Sequence, residues 1–297
     1  MHISLHQNIS TMETLKFRKI LIPTDFSENA QTALNFATEI GKELHYEVFL
    51  LHTYHVPVYH AQHQPDTYAQ LVHTIKENSL LKLKEIEVTI KEKLGDKKVH
   101  LIHKEGLLVD VIKDVVVEEE IDLIMMGTKG SSSFDEYVVG SNTAAVVENT
   151  HCPVFVIPSK AIFHPINRIL FATDFQFDDI LSIERLVPLA KAYDADLKIV
   201  HISDNPNQDE DKIEWLQEIA GNRINYNKIS FTNIEKNNST LQALNQYIKD
   251  ENIDLFALNS TSKNLFKRLF TGSVSREMLY HSHIPFFAFH VRSDSRI

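Results

Sequence analysis

A chain of 297 residues is long enough for two domains of ordinary size. Hydrophobic residues make up 43% and charged residues 24%, and the net charge of −10 argues against the broad basic surface that binds DNA or RNA. The single cysteine, Cys152, rules out an intramolecular disulfide and, beside Pro153 at the start of an apolar run, is interpreted as a buried structural thiol.

Short apolar runs alternate with amphipathic segments in the first half of the chain. Ser27 is well placed to cap the first helix at its N-terminus. The alternation predicts a parallel sheet with helices on both faces, and right-handed crossovers give the strand order 3-2-1-4-5. The strands are predicted at 17–23, 48–52, 99–103, 121–126 and 153–157, and the helices at 28–44, 67–94, 107–118 and 141–150.

Glycines follow the fourth predicted strand and precede a helix. Gly127 and Gly130 come directly after the strand, and Gly140 and Ser141 follow nine residues later. A strand that leads through glycines into a helix N-terminus is a recurring way to bind phosphate. In the order 3-2-1-4-5 the direction of the strand order reverses between strands 1 and 4, and ligands bind there beyond the carboxyl ends of the strands. We therefore predict a phosphate site, although the pattern is neither a Walker A loop nor a dinucleotide fingerprint. The alternative is a tight turn followed by an ordinary helix cap.

The pattern recurs after a short linker at 158–161. Residues 167–175 repeat 18–26 at an offset of 149, whereas 253–258 repeat 121–126 at an offset of 132. Gly272-Ser273 matches Gly140-Ser141 at the smaller offset. The difference means that seventeen residues are missing from the second copy, and we place most of the loss in the long helix after the second strand and the loop before it. We therefore predict two tandem doubly wound α/β domains, 1–159 and 160–297, each with a five-stranded parallel sheet.

Residues 1–16 are predicted to be a loosely held extension of the first domain. No apolar run reaches the length that spans a bilayer, and the first fifteen residues lack the apolar core of an export signal. We therefore expect a cytoplasmic protein with no membrane partner and no nucleic-acid partner.

The two copies differ at the glycine loop. At the offset of 132, Gly127 becomes Asn259, Lys129 becomes Thr261 and Gly130 becomes Ser262. Side chains would then stand where a phosphate meets bare backbone in the first copy. We expect the first half to bind nucleotide and the second to bind it weakly or not at all. The alternative is that Asn259 and Ser262 form a different polar site.

These residues resemble the universal stress protein family in its tandem two-domain form, from about residue 17 to residue 290. The family's ATP-binding pattern, G-x2-G-x9-G-[ST], is complete in the first half. The resemblance implies a nucleotide-dependent sensor or switch in the stress response that binds ATP, AMP or ADP, rather than a dedicated enzyme. It assigns adenine and ribose to Pro23, Thr24 and Asp25, and adenine also to the backbone of Thr53. It assigns the phosphates to Gly127, Thr128, Lys129, Gly130, Gly140, Ser141, Asn142 and Thr143.

The chemistry of these side chains fits such roles, with a simpler alternative for each. Asp25 can accept hydrogen bonds from ribose hydroxyls, or it can be a helix-capping carboxylate. Lys129 can place its charge on a phosphate, or it can be a solvated surface lysine. The hydroxyls of Ser141 and Thr143 can donate to phosphate, or they can only cap the helix. Asp135-Glu136 would repel a triphosphate unless the pair holds Mg²⁺ beside it or faces the solvent.

Family members often pair through their fifth strands, so the resemblance implies that 154–157 and 286–289 could pair antiparallel within one chain. Such an intramolecular pseudo-dimer could form a homodimer in turn, and nothing in the sequence determines whether it does. Any protein partner downstream is also left open.

Three other functions compete with nucleotide sensing. His52, His55, His60 and His63 could bind zinc, although no cysteine accompanies them. A hydrolase would need a positioned base, and only Asp25 or Asp135-Glu136 could serve, so any ATP turnover should be slow. We assign no catalytic residue and no metal ligand. The third alternative is a protein-interaction module that binds no nucleotide, which suits the second half better.

Overall fold

The computed structural model describes residues 17–55, 65–95, 98–128, 140–236, 238–259 and 284–290. The elements in chain order are β1 (Lys19–Pro23), α1 (Glu28–Leu44), β2 (Glu47–Tyr54), α2 (Pro65–Leu94), β3 (Val99–Glu105), α3 (Leu108–Glu118), β4 (Leu123–Gly127), α4 (Ser141–Asn149), β5 (Val154–Ile157), β6 (Arg168–Ala172), α5 (Phe177–Tyr193), β7 (Asp196–Ser203), α6 (Glu210–Arg223), β8 (Ile229–Glu235), α7 (Thr240–Asp250), β9 (Leu255–Asn259) and β10 (Phe286–Phe289).

The described strands form one ten-stranded sheet in the order β3-β2-β1-β4-β5-β10-β9-β6-β7-β8. Within each half every strand pair is parallel, and each half has the order 3-2-1-4-5. The predicted fold of two tandem doubly wound α/β domains is therefore confirmed. The strand order reverses between β1 and β4 in the first half and between β6 and β9 in the second.

The two halves meet at an antiparallel seam between β5 and β10. Phe287 lies opposite Phe155, and Ala288 lies opposite Val154. The rings of Phe155 and Phe287 stack with centroids 4.3 Å apart. The seam buries one edge from each half, as predicted for the fifth strands. A homodimer would have to use another surface, because this edge is occupied within the chain.

Each face of the sheet carries its own hydrophobic core. Ile20 and Ile22 of β1 point to the face that α1, α2, α5 and α6 cover. Leu21 points to the opposite face, which α3, α4 and α7 cover. This division follows from the two-residue period of a strand. The helix positions match the prediction, and α1 buries the apolar stripe that includes Ala33 and Ala37.

The second copy is shorter where the sequence indicated. The offset between matching strands falls from 149 residues at β2 and β7 (Glu47 and Asp196) to 130 at β3 and β8 (Val99 and Ile229). Most of that loss comes from one helix, since α2 has 30 residues and α6 has 14.

Cys152 is buried, with 4% of its surface exposed, and its thiol donates to the carbonyl oxygen of Ile121 at 3.5 Å. The interpretation of a buried structural thiol is confirmed. Among the described helices, none has the length and apolar character needed to cross a membrane.

Candidate functional site

The carboxyl ends of β1 and β4 lie side by side at one edge of the sheet. The two strands are parallel neighbours, with Ile20 opposite Leu123 and Leu21 opposite Ile124. The turn after β1 therefore lies next to the residues that follow β4. This is the crevice where open parallel sheets bind their ligands.

The turn after β1 is held by its own hydrogen bonds. The amide of Thr24 donates to the Leu51 carbonyl at 2.8 Å, which extends the β1–β2 ladder by one step. The amide of Phe26 donates to Thr24 Oγ1 at 3.1 Å, and the amide of Ser27 donates to Asp25 Oδ1 at 3.0 Å. Ser27 in turn caps α1 by accepting from the amide of Ala30, as predicted. The carboxylate of Asp25 is exposed while it stabilises this turn.

The backbone of Thr53 faces this turn. The carbonyl of Leu51 points toward β1, and backbone groups two residues further along a strand point the same way. The β1–β2 register ends with Pro23 opposite Leu51, so Thr53 lies beyond the last described pair. Its N–H and C=O are therefore directed to the space next to the Thr24-Asp25 turn. The sequence-assigned residues Pro23, Thr24, Asp25 and Thr53 are brought together.

Gly127 ends β4 against the start of α1. A Cβ atom added at Gly127 would lie 2.7 Å from the backbone oxygen of Asn29 and 3.1 Å from its carbonyl carbon. The missing side chain therefore makes room for the backbone of α1 rather than for a ligand. This differs from the sequence interpretation, in which the bare backbone at Gly127 faces a phosphate.

The start of α4 is braced against the end of β4. The hydroxyl of Thr143 donates to the carbonyl of Gly127 at 2.8 Å, and only 2% of Thr143 is exposed. The amide of Gly140 donates to the carbonyl of Thr128. Thr128 is itself buried, and its amide donates to the Ile157 carbonyl at 2.9 Å. Thr143 and Thr128 therefore belong to the frame of the site. The Thr143 hydroxyl is buried and bonded to backbone, and its assignment to phosphate stays a prediction.

The first turn of α4 has the features of an anion site. Gly140 is the N-cap residue and has no side chain that could accept a hydrogen bond from the helix amides. Ser141 and Asn142, at the first two helical positions, are exposed. The first turn contains no acidic residue. Amide groups at a helix start and the helix dipole both favour an anion such as a phosphate there.

The matching position in the second half is filled by a buried polar cluster. Asn259, the counterpart of Gly127, is fully buried and donates to Asp179 Oδ1 at 2.5 Å. Its side-chain oxygen accepts from Ser182 Oγ at 2.6 Å. Asp179 and Ser182 replace Ala30 and Ala33 of the first half. The sequence interpretation that the Asn259 side chain takes the place of a phosphate is wrong, because this side chain turns inward toward α5.

Asp179 also anchors the turn after β6. Its Oδ2 accepts from Thr173 Oγ1 at 2.6 Å, from the amide of Asp174 at 3.2 Å and from that of Gln176 at 3.1 Å. Burial raises the pKa of the Asp179 carboxyl, and these hydrogen bonds oppose the rise. Sequence reasoning missed this residue, whose only local signal was an acidic side chain in the first turn of a helix.

Several predicted residues lie outside the described part of the chain. In the first half these are Lys129, Gly130 and the Asp135-Glu136 pair, and in the second half they are Thr261, Ser262 and Gly272-Ser273. His60 and His63 of the zinc alternative are also outside it.

One histidine of the zinc alternative, His52, already makes a hydrogen bond within the protein. His52 directs Nδ1 to the carbonyl oxygen of Thr24 at 2.8 Å, so one of its two ring nitrogens is already bonded. Within the described ranges, no group of three or more His, Cys, Asp or Glu side chains is arranged to hold a metal ion.

The fold defines a class of tandem, doubly wound α/β proteins with a helix N-terminus at the strand-order reversal. A sequence model described as the Universal stress protein family matches residues 16–158 and 165–290. The chain therefore belongs to the universal stress protein family and contains two copies of its fold.

Proteins of that family resemble the chain over one or both halves. Universal stress protein Slr1230 of Synechocystis is 24% identical, over 92% of this chain and 99% of its own length. Universal stress protein MJ0577 of Methanocaldococcus jannaschii is 31% identical, over 50% of this chain and 98% of its own length. The crystal structure of a universal stress protein from Archaeoglobus fulgidus superposes with a TM-score of 0.69 at 20% identity, covering 95% of this chain and all of that one.

Proposed function

We propose that this protein binds an adenine nucleotide, ATP or else AMP or ADP, in its first half and acts as a nucleotide-dependent sensor in the stress response. The observation that carries the proposal is a convergence at one sheet edge. The exposed Asp25 carboxylate and the exposed start of α4 lie where the strand order reverses between β1 and β4, and the backbone of Thr53 lies beside them at the end of the adjacent strand β2. Membership of the universal stress protein family supports it.

Each part of this edge supplies a different kind of contact. The Thr53 backbone offers one donor and one acceptor, which suits the edge of an adenine ring. The carboxylate of Asp25 can accept from ribose hydroxyls through the oxygen that does not bind the Ser27 amide. The first-turn amides of α4 and the side chains of Ser141 and Asn142 can donate to phosphate oxygens. Lys129 would add a positive charge there.

The remaining motif residues act as a frame in this proposal. Gly127 lets the start of α1 approach the end of β4. Thr143 and Thr128 tie α4 to that same strand end through backbone carbonyls. Pro23 is the last residue of β1, and the Thr24 amide adds one more hydrogen bond to β2 before the chain turns at Asp25. These contacts fix the distance between the ribose side and the phosphate side of the site.

We propose one nucleotide site per chain. In the second half Asp179 accepts from the amide of Asp174 and from the hydroxyl of Thr173. The turn that would meet the ribose is therefore bonded to a buried carboxylate of the protein. The counterpart of Asp179 in the first half is Ala30, which cannot make those bonds. The glycine pattern that starts at Gly127 is also absent from the second copy, where Asn259 begins the segment.

Binding rather than turnover is the proposed activity. In this proposal Asp25 binds ribose, and its carboxylate already accepts a hydrogen bond from the Ser27 amide at 3.0 Å. A general base must lie within hydrogen-bond reach of the water it activates. Any ATP hydrolysis should therefore be slow. Titrations with ATP in the presence and absence of Mg²⁺ test whether Asp135-Glu136 holds a divalent ion beside the phosphates.

Calorimetric titration of the full chain with ATP and AMP tests this function. Asp25→Ala should lower the affinity for both nucleotides by about 10-fold or more, because hydrogen bonds to a charged group contribute about 1.5–3 kcal/mol. Asp174→Ala, the matched change in the second half, should leave both affinities unchanged. Equal losses from the two variants, or no loss from Asp25→Ala, would contradict the proposed site.

A second variant separates phosphate binding from folding. Ser141→Glu places a negative charge in the first turn of α4, which favours the helix by about 0.3–1 kcal/mol. The same charge repels phosphates, so the affinity for ATP should fall more than the affinity for AMP while the protein stays folded. A wild-type chain that binds none of ATP, ADP and AMP would instead favour the protein-interaction function.

A further inference from the structure

His52, at the end of β2, makes a specific contact with the turn after β1. Its Nδ1 lies 2.8 Å from the carbonyl oxygen of Thr24. A carbonyl oxygen can only accept, so Nδ1 carries the proton and the neutral ring leaves Nε2 without one. Partial burial lowers the pKa of His52, which favours this neutral form. The ring also lies against Phe26, with centroids 4.3 Å apart.

The second half repeats this contact. Nδ1 of His201 lies 2.7 Å from the carbonyl oxygen of Thr173, and the His201 ring lies 4.2 Å from that of Phe175. Phe26 and Phe175 both have left-handed backbone conformations, with φ of 64° and 59°. A bulky residue rarely adopts this conformation unless its surroundings impose it. The histidine contact is therefore a constant part of how both copies shape this turn.

The two turns differ in what else anchors them. In the second half the buried Asp179 accepts from Thr173 Oγ1 and from two backbone amides of the turn. In the first half Ala30 stands at that position and offers no such acceptor. The turn that carries Asp25 therefore depends more strongly on His52 than the second turn depends on His201.

We propose that His52 is a positioning residue for the nucleotide: by holding the Thr24 carbonyl it fixes the Asp25 carboxylate where a ribose hydroxyl can reach it. This inference rests on the proposed nucleotide site and adds a residue that does not itself touch the ligand. Thr24 and Asp25 are adjacent, and the bonds from Phe26 to Thr24 Oγ1 and from Ser27 to Asp25 continue the same chain of contacts. The turn is thus set before a ligand arrives, which lowers the ordering cost of binding.

Three variants of the full chain test the inference by ATP titration. In His52→Asn the amide nitrogen is separated from Cα by the same number of bonds as Nδ1, so the donor is kept. In His52→Gln it is one bond further out, so the contact with Thr24 is displaced. We expect His52→Asn to bind ATP within about twofold of wild type and His52→Gln to bind roughly 3- to 10-fold more weakly, as the loss of one neutral hydrogen bond implies. His201→Gln, the matched control, should bind ATP like wild type.

A purely structural role would give a different result. Equal ATP affinities for His52→Asn and His52→Gln would overturn the inference, and so would a loss in His201→Gln that matches His52→Gln. Unfolding midpoints of all three variants show that each affinity is measured on folded protein, and if His52→Gln does not fold, the tautomer of wild-type His52 tests the contact instead.

A ligand-free measurement separates this inference from the proposed function. Nitrogen-15 NMR of the wild-type imidazole should show the proton of His52 on Nδ1. A proton on Nε2 would overturn the positioning contact even if ATP binds. If the tautomer is as expected and wild type binds no adenine nucleotide, the proposed function fails and the positioning role fails with it.

Discussion

Substituting Gly127 by alanine tests whether this glycine serves packing or ligand binding. The new Cβ would lie 2.7 Å from the backbone oxygen of Asn29, a distance that real Cβ atoms do not adopt. The obstacle is helix backbone, so the first turn of α1 or the end of β4 must move. Overpacking of this kind typically costs about 1–3 kcal/mol. For a chain of this size, that corresponds to a fall of roughly 2–10 °C in melting temperature.

Urea and thermal unfolding of Gly127→Ala measure this cost, and Gly221→Ala is the matched control. Gly221 lies in α6, and a Cβ added there would have no neighbour within 4 Å. Replacing a helical glycine by alanine in open space should stabilise the fold by up to about 1 kcal/mol. A Gly127→Ala protein as stable as wild type, with weakened ATP binding alone, would refute the packing role and restore the phosphate role inferred from sequence.

Two further predictions concern buried polar groups. Asn259→Ala leaves the buried Asp179 carboxylate without one of its donors, so urea unfolding should show a loss of about 1–3 kcal/mol, and a neutral result would show that Asp179 does not need this partner. Burial lowers the pKa of His290 from 6.5 to about 4, so its contribution to stability is complete above about pH 6.5 and is lost as the pH falls toward 4. In wild type the free energy of unfolding should be lower at pH 4.5 than at pH 7, and in His290→Asn this difference should be smaller by about 2–3 kcal/mol. An unchanged difference would contradict the lowered pKa of His290.

The sequence was sufficient for the architecture because the architecture depends on local and repetitive signals. Short continuous apolar runs place β1 and its counterparts, the 3.6-residue apolar period places α1, and the Ser27 cap follows from residue type and position. The internal repeat predicts the shortened second copy, and the family resemblance implies the pairing of the fifth strands. Each of these features can be recognised without knowing which distant residues come into contact.

The site was harder to predict because its details depend on tertiary neighbours. The role of Gly127 is set by Asn29, which lies almost a hundred residues earlier in the chain. The inward direction of Asn259 is set by Asp179, 80 residues away, and a list of matching motif positions cannot contain that information. A hydroxyl such as that of Thr143 suits a phosphate and a backbone carbonyl equally well by residue type, and only its burial decides between them.

Hydrogen exchange of the full chain, measured by mass spectrometry with and without saturating ATP, tests the central claim most directly because it locates the nucleotide. We predict that ATP slows exchange in the turn after β1, around Thr24 and Asp25, and in the first turn of α4, with no change in the matching turn around Thr173 and Asp174. Protection in the second turn instead of the first, or in both turns equally, would contradict a single nucleotide site in the first half.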